Sequence, residues 1–519
     1  MMEDACGSRV DTCTKLSTGF RGRLWAGALP GVCVLAVVLV GAPAWSQQPS
    51  AGSAVPVSAE THAALQQLIG NSLLDGQAYE YDRQLADMIG PRLTGSTNYM
   101  HAAEWAEQQF KSLGLKNVHT EEWTIPATWE PEGPAAGRIV SPVDHHLHIY
   151  SAGWSPSTPK DGVKGEVVYV KSIAPADLDA QKAKLHGAIA LLDDASLGEK
   201  PRIDEIVAGI ERLRSFSPTA ILISGGENGT ETMTSLNFSG AIDSLPEAQI
   251  GAEDTSLMKR LLEHGPVTVE FSFTNRIRKA VKVPNVIAEM PGRETPDEVV
   301  IVGAHLDSWQ PGTGAQDNGT GAASVIEAAR AIQSLRRAPR RTLRFILFGG
   351  EEEGLLGSTA YVRQHMADLP KIDAVLITDS GSQPAKGWYM MGREDEKAAI
   401  DSLSPVLAGM GADGTNSDTQ FLFQTDHAAF DVLGVPELVL WNDTDKYSKL
   451  HHKASDTFDS VVRGDLTQDA AVTAVTTYAI ADSSQPFAAH LSTEEVRTML
   501  KKKDNLEEYD FLKKMGSLP

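Results

Sequence analysis

The spacing of apolar residues changes along the chain and separates regions of different structure. Between about residues 61 and 113 apolar residues recur at i, i+3 and i+4, as in Leu65, Leu68 and Ile69, which predicts helices, the last over 99–113. Between about residues 134 and 282 they form short runs separated by Gly, Pro and Ser, which predicts strands. We therefore expect the middle region to be a β-rich domain inserted into the rest of the chain.

From residue 283 onwards, runs typical of strands alternate with helical patterns. Strands are predicted over 299–304, 342–348, 374–378 and 437–440, and helices over 322–335 and 359–366. This alternation favours an α/β fold in which helices sandwich a mixed, mostly parallel sheet. Residues 493–512 form a charged amphipathic pattern, for which we expect a helix with only a packing role.

The sequence is therefore predicted to have five parts. They are a signal peptide over 1–46, the first part of the main domain over 47–133, the insertion over 134–282, the second part of the main domain over 283–485 and a charged helical tail over 486–519.

Residues near the start resemble an export signal. Arg21 and Arg23 precede an apolar run over 24–41 that is short for a membrane span, and Ala44 and Ser46 offer cleavage sites. All three cysteines precede these sites, so a cleaved protein would have no disulfide. We expect cleavage near Ala44 or Ser46, a secreted or periplasmic protein and no stable membrane insertion. An uncleaved membrane anchor is the alternative.

The charge of the chain argues against one class of partner. Its 519 residues include 46 Lys and Arg against 68 Asp and Glu, a formal charge of −22. Because such an acidic surface repels phosphate backbones, we expect no nucleic acid partner.

Acidic and imidazole side chains follow the predicted strands where each strand ends. Because the carboxyl ends of parallel strands meet at one edge of a sheet, we expect these side chains to lie together, joined by a later histidine. They are His305, Asp317, Glu351, Glu352, Asp379 and His452. Two imidazoles and three carboxylates suit two divalent ions such as zinc that share one carboxylate and a bridging water.

Sequence position suggests a role for three residues. Asp317 is the expected shared ligand, since Asn318-Gly319 after it lets the backbone turn tightly before a helix. Glu351 is adjacent to Glu352 and points elsewhere, which leaves it to act as general base. Asp307 is placed to accept the second N–H of His305 and fix its tautomer. An acidic run such as Glu351-Glu352-Glu353 is usually a cluster of solvated side chains, but its position directly after an apolar strand favours a functional role.

These motifs resemble a known family, the co-catalytic zinc exopeptidases that include bacterial leucyl aminopeptidase, aminopeptidase Y and the glutamate carboxypeptidases. The resemblance spans about residues 61–482. It rests on Gly303-Ala304-His305-Leu306-Asp307, Gln316-Asp317-Asn318-Gly319, Glu351-Glu352-Glu353-Gly354, Thr378-Asp379-Ser380-Gly381, residues 452–457 and the opening segment Gly90-Pro91-Arg92-Leu93-Thr94-Gly95-Ser96.

The resemblance implies a peptidase domain, with a protease-associated domain as the insertion. It implies one Zn²⁺ on His305, Asp317 and Asp379, a second on Asp317, Glu352 and His452, and Glu351 as base. A pair shifted to Glu352 and Glu353 is the alternative. Asp426 and His427 look like the substrate-side segment of the family, and Tyr447 is a candidate for oxyanion contact or ordinary packing.

The expected function is hydrolysis of short peptides or dipeptides by an exported dizinc exopeptidase that requires a free amino terminus. Peptides are the expected partners, and a homodimer is left open. The alternatives are carboxypeptidase specificity, a single-zinc glutaminyl cyclase and a non-catalytic, receptor-like relative.

Overall fold

The computed structural model describes residues 55–198, 202–229, 234–235 and 238–519. The predicted leader and its cleavage sites lie outside these residues. The strands are β1 (Lys116–Pro131), β2 (Ala136–Ser141), β3 (His145–His146), β4 (Ile149–Ser151), β5 (Val163–Tyr169), β6 (Ile189–Leu192), β7 (Ala220–Ser224), β8 (Glu247–Ile250), β9 (Thr268–Ser272), β10 (Asn275–Met290), β11 (Thr295–His305), β12 (Arg341–Phe348), β13 (Ile372–Ile377), β14 (Ala385–Tyr389), β15 (Gly414–Asn416) and β16 (Glu437–Asn442).

The helices connect these strands and cover them. They are α1 (Ala59–Asp75), α2 (Ala78–Arg83), α3 (Thr97–Ser112), α4 (Pro175–Leu185), α5 (Asp194–Leu197), α6 (Ile203–Ser215), α7 (Ala252–Leu262), α8 (Thr320–Ser334), α9 (Leu356–Gln364), α10 (Lys397–Asp401), α11 (Ser404–Leu407), α12 (Ala428–Asp431), α13 (Tyr447–Leu450), α14 (Arg463–Asp482), α15 (Thr493–Lys502) and α16 (Leu506–Met515).

The first sheet has the strand order β1-β10-β12-β11-β13-β16-β14-β15. Its four central strands, β12, β11, β13 and β16, are parallel, and β10 and β14 pair with this block in antiparallel fashion. Alternate residues of β11 point to opposite faces, so Val300 and Val302 join one buried cluster and Val299 and Ile301 join another. Buried clusters on both faces confirm the predicted mixed sheet sandwiched by helices.

The second sheet is built entirely from residues 136–272, in the order β3-β2-β9-β5-β6-β7-β8-β4. Its inner strands β5 to β8 are parallel, and the region also contains α4, α6 and α7, so it is not made of strands alone. The sequence signal that could have found α6 is the spacing of Ile206, Ile210 and Leu213. The boundary predicted at residue 282 falls inside β10, and the protease-associated assignment stays a prediction.

Two further helical features differ from expectation. α14 was not predicted because nearly all of it is buried, so its sequence lacks the polar face that helical periodicity depends on. The single helix predicted over 493–512 is instead two helices, α15 and α16, since the chain takes a left-handed turn at Asp504, where φ is +60°. Within the described part of the chain, no helix combines the length and apolarity needed to cross a bilayer.

Candidate functional site

The ends of three neighbouring parallel strands deliver the predicted residues to one place. His305 is the last residue of β11, Glu351 and Glu352 follow β12, and Asp379 follows β13. In the sheet register His305 lies beside Phe348, the last residue of β12. The expectation that these side chains meet at the carboxyl edge of the sheet agrees with their positions.

The carboxylate of Asp317 lies between two imidazoles. Nε2 of His305 is 3.2 Å from Oδ1 of Asp317, and Nε2 of His452 is 3.3 Å from Oδ2. The His305 nitrogen also lies 3.4 Å from Oδ1 of Asp379, and the His452 nitrogen lies 2.9 Å from Oε2 of Glu352. Each oxygen of Asp317 therefore faces a different group of candidate ligands.

The backbone of Asp317 is held by Asp456. Its Oδ2 accepts a hydrogen bond from the main-chain N–H of Asp317 at 3.1 Å, and its Oδ1 accepts one from Gln316 at 2.7 Å. Asp456 is the last acidic residue of the motif that begins at His452, yet the sequence gave no indication of this contact. Without Asp456, two buried main-chain N–H groups beside the carboxylate of Asp317 would lose their acceptor.

The side chain of Asn318 joins the Asp317 loop to the neighbouring strand. Its Nδ2 donates to the carbonyl oxygen of Thr378 at 2.9 Å, and its Oδ1 accepts from the N–H of Gly321 at 2.9 Å. A Cβ on Gly321 would lie 2.2 Å from both oxygens, so this close approach requires glycine. Besides forming the expected tight turn, Asn318 therefore fixes the position of Asp317 relative to Asp379, which directly follows Thr378.

Arg92, in the segment Gly90-Pro91-Arg92-Leu93-Thr94-Gly95-Ser96, is hydrogen-bonded to the loop after β11. The fully buried guanidinium donates through Nε to the carbonyl oxygen of Leu306 at 2.8 Å and through Nη2 to that of Gly314 at 2.8 Å. Its Nη1 donates to the carbonyl oxygens of Thr313 at 2.8 Å and Gly90 at 3.2 Å. A single side chain therefore binds both ends of the segment between His305 and Asp317.

Asp307 lies beside His305, although its contacts differ from those predicted. Nδ1 of His305 is 3.1 Å from the main-chain oxygen of Asp307 and 3.7 Å from its carboxylate, so the carbonyl is the nearer partner. The carboxylate Oδ2 instead accepts from Oγ1 of Thr94 at 3.0 Å and from the N–H of Glu352 at 3.2 Å. The correction arises because the side chain turns towards the segment after β12, which it positions.

The pKa values of two central residues reflect the surrounding charge. Burial opposes protonation of His305, but the charge of Asp379 and the close approach of other aspartates outweigh burial and raise the pKa of His305 well above its usual value. Burial would raise the pKa of Asp317, yet the close approach of His305 and the charges of the later histidines hold it low. Asp317 therefore remains ionised although it is buried.

The three consecutive glutamates have different surroundings. Burial raises the pKa values of Glu351 and Glu352 well above the usual range, with further increases from neighbouring carboxylates. Both side chains line the cavity described below, whereas Glu353 is 1% exposed and does not. Glu351 and Glu352, rather than Glu352 and Glu353, therefore face the open side of the site.

Among the described residues, two groups have potential ligand atoms that all lie within 4.8 Å of one another. They are His305, Asp317 and Asp379, and Asp317, His451 and His452. Nε2 of His305, Oδ2 of Asp317 and Oε1 of Glu352 are buried without a hydrogen-bond partner in the described part of the chain. Unpaired buried polar atoms of this kind need a cation or a proton, so the arrangement fits metal binding.

His451 is a residue of the site to which the sequence gave no role. Its Nε2 lies 3.5 Å from Oδ2 of Asp317, and its ring stacks on that of His452 with centroids 3.7 Å apart. The only sequence signal is that it precedes His452 directly.

A cavity of about 440 Å³ opens over these groups. The polar side of its wall is formed by Asp317, Glu351, Glu352, Asp379, Tyr447, His451 and His452. The apolar part of the wall includes Phe238, Leu355, Tyr389, Phe421, Phe423, Val439 and Leu512. None of the described residues that line the cavity is Arg or Lys.

Two residues expected near substrate do not line the cavity. Asp426 and His427 are fully buried and neither lines the cavity, whereas their neighbours Gln424 and Thr425 do. Burial raises the pKa of Asp426 to about 7 and lowers the pKa of His427 to about 3, which disfavours charge on either side chain. The segment thus contributes to the wall through other residues. Tyr447, the candidate for oxyanion contact or ordinary packing, lines the cavity.

Both the sequence and the fold are similar to those of known proteins. The family model described as peptidase family M28 matches residues 285–477. Carboxypeptidase Q of Rattus norvegicus is 30% identical over 418 residues, which cover 79% of this chain and 86% of that protein.

Two solved structures have similar folds. A peptidase M28 precursor from Shewanella amazonensis is 28% identical, with a TM-score of 0.74 over 83% of this chain and 99% of that one. A zinc aminopeptidase from Bacillus subtilis is 20% identical, with a TM-score of 0.62 over 80% of this chain and 98% of that one. At 20% identity, the similarity to the Bacillus subtilis enzyme shows a shared fold only.

Proposed function

The chain belongs to peptidase family M28, and from that membership we propose that it is an exported dizinc exopeptidase acting on short peptides or dipeptides. These relatives confirm the family resemblance of its motifs. The proposal depends mainly on the position of Asp317, whose Oδ1 lies near the imidazole of His305 and whose Oδ2 lies near that of His452.

We assign His305, Asp317 and Asp379 to one zinc ion and Asp317, Glu352 and His452 to the other. The unpaired buried atoms of His305, Asp317 and Glu352 support this division, as does the mixture of imidazole and carboxylate donors. Zinc in these positions supplies polarisation of the scissile carbonyl and a lowered pKa for attacking water. The name of the Bacillus subtilis relative supports the choice of zinc.

Glu351 is the proposed general base. It lines the cavity beside Glu352, and burial together with neighbouring carboxylates raises its pKa, which suits a carboxylate that must accept a proton. The proton taken from the attacking water passes to the leaving amine. The hydroxyl group of Tyr447, on the same wall, is the proposed donor to the carbonyl oxygen as negative charge develops there.

The charge of the cavity favours substrates with a free amino terminus. Several carboxylates line it, and the described lining contains no Arg or Lys that could bind a substrate carboxylate. A substrate ammonium group is therefore better accommodated than a substrate carboxylate. The relatives do not decide the direction of attack, because their names include both a carboxypeptidase and an aminopeptidase.

Substrate protection tests the direction of attack. Acetylation of the amino end of a good peptide substrate should abolish cleavage. Amidation of its carboxyl end should be tolerated by an aminopeptidase and resisted by a strict dipeptidase. Efficient release of the C-terminal residue from an N-acetylated peptide would overturn the proposed direction and restore the carboxypeptidase alternative.

Metal analysis of the purified protein tests the proposed class of enzyme. A dizinc peptidase should contain about two zinc ions per chain, a single-zinc cyclase about one and a receptor-like relative none. Amino-terminal sequencing of exported protein should find a start near residue 45 or 47. Retention of Met1 would contradict the cleaved leader and favour the membrane anchor.

A further inference from the structure

Part of the cavity wall comes from the C-terminal tail, residues 486–519, for which the sequence predicted only packing. Leu512, in α16, and Ser517, after it, both line the cavity. Leu512 is 3% exposed and belongs to the buried cluster on one face of the first sheet. Because Leu512 is packed into this cluster and also lines the cavity, its side chain limits how deep the cavity is.

The tail is bound at both ends of α16 to the region that contains the second sheet. Oε1 of Glu508 accepts a hydrogen bond from the N–H of Ile203 at 3.1 Å, and Oγ of Ser517 donates to the carbonyl oxygen of Phe238 at 3.3 Å. Ile203 and Phe238 line the same cavity. The tail and two residues from that region therefore form one continuous piece of wall.

The last residues of the tail are anchored beside the loop that carries Glu351. Oγ1 of Thr359 donates to the carbonyl oxygen of Ser517 at 2.6 Å, and Nη2 of Arg363 donates to that of Leu518 at 3.0 Å. Leu518 is fully buried, so the end of the described chain is fixed rather than frayed. Because Thr359 and Arg363 lie on α9, which follows the Glu351 loop, Leu512 keeps a defined position relative to the candidate base.

Other residues of the cavity wall, in or against the same buried cluster as Leu512, are also apolar. They include Tyr389, Phe421, Phe423 and Val439, and the cavity of about 440 Å³ is within the range that holds a small ligand. We propose that the tail supplies the end wall of an apolar subsite for the substrate side chain next to the scissile bond, with Leu512 as a specificity-determining residue. This inference rests on the proposed peptidase function and names its substrate class, short peptides with a large apolar residue at that position.

Changing the size of residue 512 tests the inference. Leu512→Phe should lower the ratio of kcat/KM for a phenylalanyl dipeptide to that for an alanyl dipeptide by about tenfold, because the larger ring fills the subsite. Leu512→Ala should raise the same ratio by at least about threefold. The matched control is Leu506→Ala, in the same helix and against the same buried cluster but not on the cavity wall, which should leave the ratio unchanged.

A second readout does not depend on turnover. Calorimetric titration with free phenylalanine and free alanine should show the same change in relative affinity for each Leu512 variant. Leu512→Val, which removes one methylene, provides the test if Leu512→Phe does not fold. Thermal unfolding of every variant verifies that the folded proteins are being compared.

The outcomes separate this inference from the function on which it rests. A wild-type protein that cleaves no peptide would refute the proposed function. A wild-type protein that cleaves peptides, with ratios unchanged within twofold in both Leu512 variants, would refute the role of the tail alone. An equal change of ratio in Leu506→Ala would also refute it, because the effect would then come from helix stability rather than from contact with substrate.

Discussion

Replacement of Arg92 by lysine should destabilise the protein although the positive charge is kept. The guanidinium makes four hydrogen bonds to main-chain carbonyl oxygens, at 2.8, 2.8, 2.8 and 3.2 Å, and is fully buried. A lysine has its donors on a single nitrogen and cannot reach acceptors spread around a planar fork, so we expect it to lose at least two of these bonds. At about 1.5–3 kcal/mol for each hydrogen bond to a charged group, the loss is about 3–6 kcal/mol.

Chemical denaturation and metal analysis measure this effect. The free energy of unfolding of Arg92→Lys should fall by the stated amount, and metal content should fall with it, because the segment between His305 and Asp317 is no longer held. Arg83→Lys is the matched control, since Arg83 is partly exposed and pairs locally with Glu80, three residues earlier, and it should leave the free energy of unfolding nearly unchanged. A change below 1 kcal/mol in Arg92→Lys, with full metal content, would refute the reasoning.

The remaining predictions concern the site and one ion pair. Glu351→Gln should keep its metal but lose about 10²–10⁴ in turnover, which single-turnover kinetics and metal analysis check; unchanged activity excludes it as base. Asp317→Asn should lose metal as well as rate, and retention of both ions would contradict its role as shared ligand. His365→Gln removes a contact of 2.8 Å with Glu121. That contact raises the pKa of His365 and, against burial, lowers the pKa of Glu121. The contact therefore adds less than about 1 kcal/mol to the free energy of unfolding. This contribution is complete between about pH 4.3 and 6.5, the ordinary pKa values of the two groups. It is lost as the pH rises above the raised pKa of His365, and as the pH falls below the lowered pKa of Glu121. A stability difference between wild type and variant that does not vary with pH would contradict this assignment.

The sequence predicted those parts of the molecule whose signals are local. The helix expected over 322–335 is observed as Thr320–Ser334, because its larger apolar residues recur at helical spacing. The strand expected over 342–348 is observed as Arg341–Phe348, because a short, nearly continuous apolar run is typical of a buried strand. The gathering of His305, Glu352 and Asp379 was also predictable, since each follows a parallel strand and topology brings such ends together.

What the sequence did not indicate depends on contacts between distant parts of the chain. Arg92 acts through carbonyl groups more than 200 positions later, and main-chain acceptors leave no trace in the sequence. The burial of Asp426 and the place of Leu512 on the cavity wall follow from how separate elements pack. The direction of a side chain such as Asp307 was likewise hidden, because adjacent residues allow more than one hydrogen-bond partner.

The arrangement of the two sheets also determines the order in which they can form during synthesis. β1 belongs to the first sheet, but its partner β10 begins only at Asn275, after every strand of the second sheet has been made. On the ribosome the second sheet can therefore be complete while β1, sixteen residues long, still has no neighbour. A nascent chain interrupted at that stage exposes an unpaired strand edge, the kind of surface that chaperones bind and from which aggregation begins.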